Sequence, residues 1–151
     1  MRSTRLLVAA LAAALAAGCG GKPAPPPIVP AGGVVRMDGR PLKKVRVVFV
    51  PTTDYGPEYA AVGETDEAGR FTLTCNGKPG ACSGENRVIV QETDAPPHLR
   101  GTDDETRRKL REYMVSLGGR PVPAKYGNLV GTPLTADVAA ERPDHTFDLA
   151  R

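Results

Sequence analysis

The sequence predicts an all-β domain, a seven-stranded Greek-key β-sandwich with one short α-helix inserted at about residues 103–117. Gly (17 residues) and Pro (15 residues) make up about a fifth of the 151-residue chain, a composition that favours many turns over long helices. Short stretches of alternating apolar and polar residues recur between turn-forming pairs, as in half-buried strands. A single stretch has apolar residues at helical spacing instead.

The first predicted strand, residues 33–37, ends at Asp38-Gly39, a pair typical of tight hairpin turns. The second, residues 45–51, places Val45, Val47 and Phe49 on one face. Further strands are predicted at residues 59–65, 70–74, 86–92, 135–139 and 145–149, with inward positions at Phe71, Leu73, Val88, Val90, Phe147 and Leu149. Seven short strands separated by turns favour two packed sheets with Greek-key connections.

The helix is predicted from its N-terminal signal and its apolar spacing. Thr102 is placed to cap the helix, with Glu105 reaching back to it as in a capping box. Apolar positions then follow at Leu110, Tyr113, Met114 and Leu117, and Gly118-Gly119 ends the segment. We expect this apolar stripe to pack on the edge of the sandwich, while a partner-binding role for the helix stays open.

The N-terminus has the pattern of an export signal. Arg2 and Arg5 precede an uncharged twelve-residue run of Leu, Val and Ala at residues 6–17. This run is as long as the apolar core of a signal peptide and too short to cross a bilayer as a helix. Its end, Leu15-Ala16-Ala17-Gly18-Cys19, resembles a lipobox, with Ala16 where Leu is commoner.

A lipobox implies cleavage after Gly18 and acylation of Cys19, which would attach the mature chain to a membrane. The alternative is ordinary signal-peptide cleavage, with Cys19 left as a free thiol. The sequence therefore predicts a signal peptide at residues 1–18, a lipidated Pro- and Gly-rich tether at residues 19–32 and one domain at residues 33–151. We expect an exported protein on the periplasmic or cell-surface face of a cell-envelope membrane.

The two remaining cysteines, Cys75 and Cys82, flank a turn-forming stretch at residues 76–81. A hairpin of this length is expected to bring them opposite each other on neighbouring strands, and an oxidising compartment permits a disulfide. The alternatives are free thiols or a metal site. The metal site lacks further ligands, because neither His98 nor His145 has a spacing that suggests zinc.

Several segments, in this order along the chain, carry a family resemblance: residues 33–35, 38–42, 47–51, 65–71, 123–126, 132–135 and 147–149. Together they resemble small bacterial lipoproteins of the carboxypeptidase-regulatory-like, transthyretin-like group. The resemblance implies a prealbumin-like, immunoglobulin-like β-sandwich without a catalytic site of its own. Two features depart from the group: Asn86 stands where many relatives have an aromatic residue, and the cysteine pair is unusual.

The residues do not indicate an enzyme. His98 lies in a predicted loop and His145 begins a strand, so neither has an orienting partner nearby in sequence. Ser83 and Ser116 have no motif around them. Ring-opening hydrolases with a transthyretin-like fold end in a Tyr-Arg-Gly-Ser pattern, whereas this chain ends in Asp148-Leu149-Ala150-Arg151. We predict no catalytic, metal-binding or cofactor-binding residues and no cofactor.

Charge excludes nucleic acid as an expected partner. Without Arg2 and Arg5, 18 of the 20 basic residues remain against 17 acidic ones, and they are scattered along the chain. We expect the function of a membrane-anchored interaction or structural module, bound to membrane lipid through Cys19, with a protein or glycan partner. The alternatives are an accessory domain for a transporter or secreted enzyme, or a carbohydrate-binding module. The absence of Trp argues against the last of these.

Overall fold

The structure, a computed structural model, describes residues 24–53, 55 and 57–151. These residues are mostly β, with antiparallel sheets and one α-helix, an arrangement consistent with an all-β sandwich. The twelve strands in this part of the chain are β1 (Ile28–Val29), β2 (Gly32–Met37), β3 (Arg40–Pro41), β4 (Val45–Pro51), β5 (Ala61–Glu64), β6 (Arg70–Thr72), β7 (Thr74–Cys75), β8 (Lys78–Pro79), β9 (Ala81–Cys82), β10 (Gly84–Glu92), β11 (Thr135–Val138) and β12 (Asp144–Leu149).

The strands form three sheets. The largest has the order β11-β10-β4-β5-β7-β8. The second has the order β12-β2-β3, with β6 also paired to β2, and its β12–β2 pair is parallel. The third joins β1 to β9. Each of the seven predicted strand regions contains a strand, and the additional strands are short, two residues each.

The core lies between the inner faces of the two larger sheets. Strand β4 alternates as predicted, with Val45, Val47 and Phe49 completely buried. The Phe49 ring packs against Phe71 and Phe147 from the opposite sheet, with centroid distances of 6.1 and 5.8 Å. The other predicted inward residues, Leu73, Val88, Val90 and Leu149, are buried as well. The alternation was therefore a correct guide to the core.

The turn at Asp38-Gly39 is also as predicted. Both residues have a positive φ, 49° and 79°, and they close the β2–β3 hairpin with Met37 facing Arg40. This is the conformation of a two-residue type I′ turn, which Asp-Gly adopts readily.

The helix α1 (Asp104–Leu117) lies where it was predicted, but its cap differs. Asp103 is the N-cap: its carboxylate accepts hydrogen bonds from the Thr106 N–H at 2.9 Å and from the Thr106 hydroxyl at 2.7 Å. The prediction of Thr102 as the cap was wrong by one residue, because the Asp103 carboxylate reaches both groups of Thr106. Glu105 pairs with Lys109 at 2.7 Å instead of closing a capping box.

Asn86 is a polar residue in the core, 1% exposed on β10. Its side-chain Nδ2 donates to the carbonyls of Cys82 and Gly84, both at 2.9 Å. The amide therefore binds the backbone that leads from β9 into β10, an arrangement that an aromatic ring could not make.

Candidate functional site

The described chain enters the domain at one end of the long strands. Tyr55 donates its hydroxyl hydrogen to the Ala24 carbonyl at 2.6 Å, and the Ser83 N–H donates to the Pro27 carbonyl at 2.9 Å. Strand β1 then pairs with β9, Ile28 facing Cys82. Residues 28–29 and Gly32, within the predicted tether, thus belong to strands. We call this the entry end; it lies where β4 finishes at Pro51.

Cys19 and the predicted signal peptide lie outside the described residues, so the structure gives no geometry for the lipid attachment. In the part of the chain that is described, no helix has the length and apolar character needed to span a membrane. The sequence places five residue steps between Cys19 and Ala24. An extended chain of that length spans about 17 Å.

The cysteine pair is arranged differently from the expected hairpin. Asn76 and Gly77 have positive φ values of 49° and 75° and close a two-residue turn, so Cys75 faces Lys78 and not Cys82. Cys82 lies on the next short strand, opposite Ile28. The prediction that the cysteines would oppose each other across the hairpin was wrong, because a type I′ turn at Asn76-Gly77 fixes a tighter register.

The two cysteines nevertheless lie close together. Both are completely buried free thiols, and both donate toward the Tyr59 carbonyl, at 3.3 Å from Cys75 Sγ and 3.9 Å from Cys82 Sγ. Burial, the charge of Cys75 and a hydrogen bond from the same residue raise the pKa of Cys82 to about 11. The Cys82 thiol is therefore protonated near neutral pH. No sequence pattern predicted that the Tyr59 carbonyl would contact the two cysteines.

The histidines do not form a catalytic pair in this geometry. His145 lies on β12 with its ring 5.6 Å from Phe49 and 6.4 Å from Phe147. Burial, then the nearby Arg142, lowers the pKa of His145 against the opposing effect of Asp144 and Asp137. His98 lies elsewhere, on the 3₁₀ turn Pro97–Leu99 that packs beside α1.

Other polar candidates have structural contacts. Ser116 donates its hydroxyl hydrogen to the Tyr113 carbonyl within α1 at 2.6 Å. Among residues 24–53, 55 and 57–151, no three His, Cys, Asp or Glu side chains are grouped to hold a metal ion.

The helix C-terminus is fixed to the far end of the domain, opposite the entry end. Arg120, whose side chain is 5% exposed, donates to the carbonyls of Lys43 and Lys44 at 2.6 and 2.8 Å and pairs with Glu92 at 2.7 Å. Burial lowers the pKa of Arg120, and Glu92 opposes that effect. Lys44 precedes Val45, the first residue of β4. Six residue steps separate Val45 from Pro51, about 20 Å of strand.

The outer face of the largest sheet carries three adjacent aliphatic side chains. Ile89, Val48 and Val62 lie side by side on β10, β4 and β5. Val62 is 42% exposed, and the other two are half-buried. We call this set the outer apolar row. A partner could bind there through burial of aliphatic surface, since adjacent apolar side chains on one face are typical of interaction surfaces.

Comparison with protein-family models, with curated proteins and with solved structures gives no match to the chain. The resemblance described above therefore rests on the sequence motifs alone.

Proposed function

We propose that this protein is a membrane-anchored, non-catalytic interaction or structural module of the cell envelope. The supporting observation is the route of the N-terminal segment. Residues 24–29 are bonded into the entry end through Tyr55, Ser83 and β9, and Cys19 lies five residues before them. A lipid on Cys19 would hold this end of the domain at the bilayer surface. Several acyl chains together give stable attachment because each buried methylene contributes about 0.8 kcal/mol.

The same proposal covers the details of fold and family. We take the sheets to be a seven-stranded Greek-key sandwich extended by short strands, of the carboxypeptidase-regulatory-like, transthyretin-like group. The buried contact of Cys75 and Cys82 at the Tyr59 carbonyl supports a disulfide between them in an oxidising compartment. The signal peptide of residues 1–18 and export to the periplasmic or cell-surface face belong to the same proposal.

The anchoring is tested by expressing the full chain with Cys19→Ser and locating it by vesicle flotation. The wild type is expected to float with the membranes through a high-salt wash, and the variant is expected to lose most of that fraction. Cys75→Ser is the matched control, because it makes the same chemical change at a buried cysteine and should still float. Normal processing and flotation of Cys19→Ser would refute the anchor.

We propose the outer apolar row as the surface that binds the protein or glycan partner. Replacing Val62 with Asp puts a charge at the β5 end of this row, on its most exposed side chain. Any partner recovered by cross-linking in intact cells should be lost with Val62→Asp. It should be kept with Val115→Asp, the same substitution at a more exposed valine on the helix at the far end. Equal recovery with both variants would exclude the row as the binding surface.

A further inference from the structure

Two adjacent aliphatic residues, Leu129 and Val130, are displayed on a loop beside the entry end. Val130 is 86% exposed and Leu129 38% exposed, and glycines lie close on both sides, at positions 127 and 131. Exposed aliphatic residues are common singly, but two neighbours at a loop tip form a small apolar projection. We call residues 129–130 the loop tip.

The loop tip is ordered by polar contacts of its backbone. Asn128 Oδ1 accepts from the Val130 N–H at 2.9 Å, and the Asn128 carbonyl accepts from the Thr132 N–H at 2.8 Å. Arg87 donates to the carbonyls of both Leu129 and Val130 at 3.3 Å. The carbonyls of the loop tip and the Val130 N–H are thus hydrogen-bonded, while the side chains of Leu129 and Val130 are exposed. This arrangement presents an apolar tip without requiring it to fold onto the core.

The loop tip lies near the entry end of the domain. Arg87, which holds it, is paired with Val50 on β4, one residue before that strand finishes at Pro51. Leu129 and Val130 line a shallow concave surface together with Val50, Pro51, Thr52, Glu85, Arg87 and Thr135. The Thr52 N–H donates a hydrogen bond to the Glu85 carbonyl. Glu85 lies two residues after Ser83, which binds the N-terminal segment at Pro27.

We propose that the loop tip inserts into the lipid surface as a second contact beside the acylated Cys19, an inference that rests on the proposed anchor. The reach of the chain supports a lipid occupant. Five residue steps after Cys19 confine Ala24 to within about 17 Å of the acylated residue. The bilayer interface would then lie beside the end of the domain that carries Leu129 and Val130. Arg87 and Glu85 border the tip with opposite charges, so contact through the apolar side chains dominates over attraction to anionic headgroups.

The helix supplies a matched control. Val115 on α1 is 80% exposed, nearly as much as Val130, but it lies at the far end with Arg120 and Lys44. The length of β4 separates the two ends by about 20 Å. A lipid surface that contacts the loop tip therefore leaves Val115 in water.

The test uses the lipidated, mature protein reconstituted in phosphatidylcholine–phosphatidylglycerol vesicles. Val130→Cys and, separately, Val115→Cys carry an environment-sensitive fluorophore, and a fraction of the lipids carries a spin-label quencher on the acyl chain. Wild-type protein is treated in parallel, and its buried Cys75 and Cys82 should stay unlabelled. We expect quenching at position 130 at least threefold stronger than at position 115. Circular dichroism confirms that both labelled variants are folded.

The outcomes separate the two proposals. Protein that fails to float with the vesicles contradicts the lipid anchor itself. Protein that floats but shows equal quenching at both positions overturns the loop contact and leaves the anchor intact. A blue-shifted fluorophore at position 130 without lipid quenching would assign the loop tip to a protein contact and would also overturn this inference.

Discussion

Oxidation of Cys75 and Cys82 to a disulfide should stabilise the domain measurably. The bond would close a loop of eight residues, which in the chain-entropy relation corresponds to about 2.5 kcal/mol of unfolding free energy at 25 °C. Both thiols are buried at the Tyr59 carbonyl, so the two side chains are already held near one acceptor before oxidation. With a urea slope near 1.5 kcal/mol per molar, the unfolding midpoint should shift by about 1.7 M.

The assay is urea unfolding of the mature protein followed by far-UV circular dichroism, since the chain has no Trp for fluorescence. Oxidised and fully reduced samples are compared, with the thiol count of each established by mass. The Cys75→Ala/Cys82→Ala variant is the control, because reductant should leave its midpoint unchanged. A wild-type midpoint that is the same in both redox states, or no disulfide under mild oxidation, would refute the reasoning.

Three further predictions follow from single contacts. In the reduced, folded protein, alkylation of Cys82 should be about 100-fold slower below pH 9 than for a thiol of ordinary pKa. The reason is that a raised pKa leaves less thiolate at each lower pH, so the alkylation rate should rise with pH until about 11. A rate that reaches its plateau near pH 9 would contradict this. Replacing Asp103 with Ala should lower the urea unfolding midpoint, while Thr102→Ala should lower it much less, and equal shifts would contradict the observed cap. Gly33→Ala should destabilise the domain by more than about 2 kcal/mol, because the added Cβ would lie 1.8 Å from the His145 carbonyl oxygen. The measurement is the melting temperature of the variant. A melting temperature equal to that of the wild type would exclude so close an approach of β2 and β12.

The parts of the fold that the sequence predicts are those set by neighbours along the chain. The alternation of Val45, Val47 and Phe49 predicts their burial, because side chains of a strand alternate between its two faces. Asp38-Gly39 predicts its hairpin because few other pairs accept positive φ at both positions. The helix was located by its apolar spacing, and only the choice between two adjacent capping residues failed.

The parts that the sequence does not predict depend on contacts between distant residues. Arg120 binds the carbonyls of Lys43 and Lys44, which lie 77 and 76 residues away in the chain. Tyr126, outside any predicted strand, is buried and exchanges hydrogen bonds with the backbone of Ala150. No local periodicity carries such information, because each contact depends on how the sheets and the helix pack.

The candidate site shows the same division. The lipid site proposed at Cys19 rests on a local sequence pattern alone, whereas the meeting of the two buried cysteines depends on β1, β9 and the turn that carries Tyr59. The exposure of Val130 could not be read from the sequence either. A Leu-Val pair between glycines fits a buried turn equally well, and its display depends on the bonds from Arg87 and Asn128.

The central claim is that acyl chains on Cys19 hold this β domain at a membrane. Intact-mass measurement of the protein extracted from the membrane fraction tests it most directly. The account predicts a chain that begins at Cys19 and carries the added mass of a diacylglycerol and an amide-linked acyl group. A membrane-extracted chain with an unmodified Cys19, whatever its first residue, would contradict it.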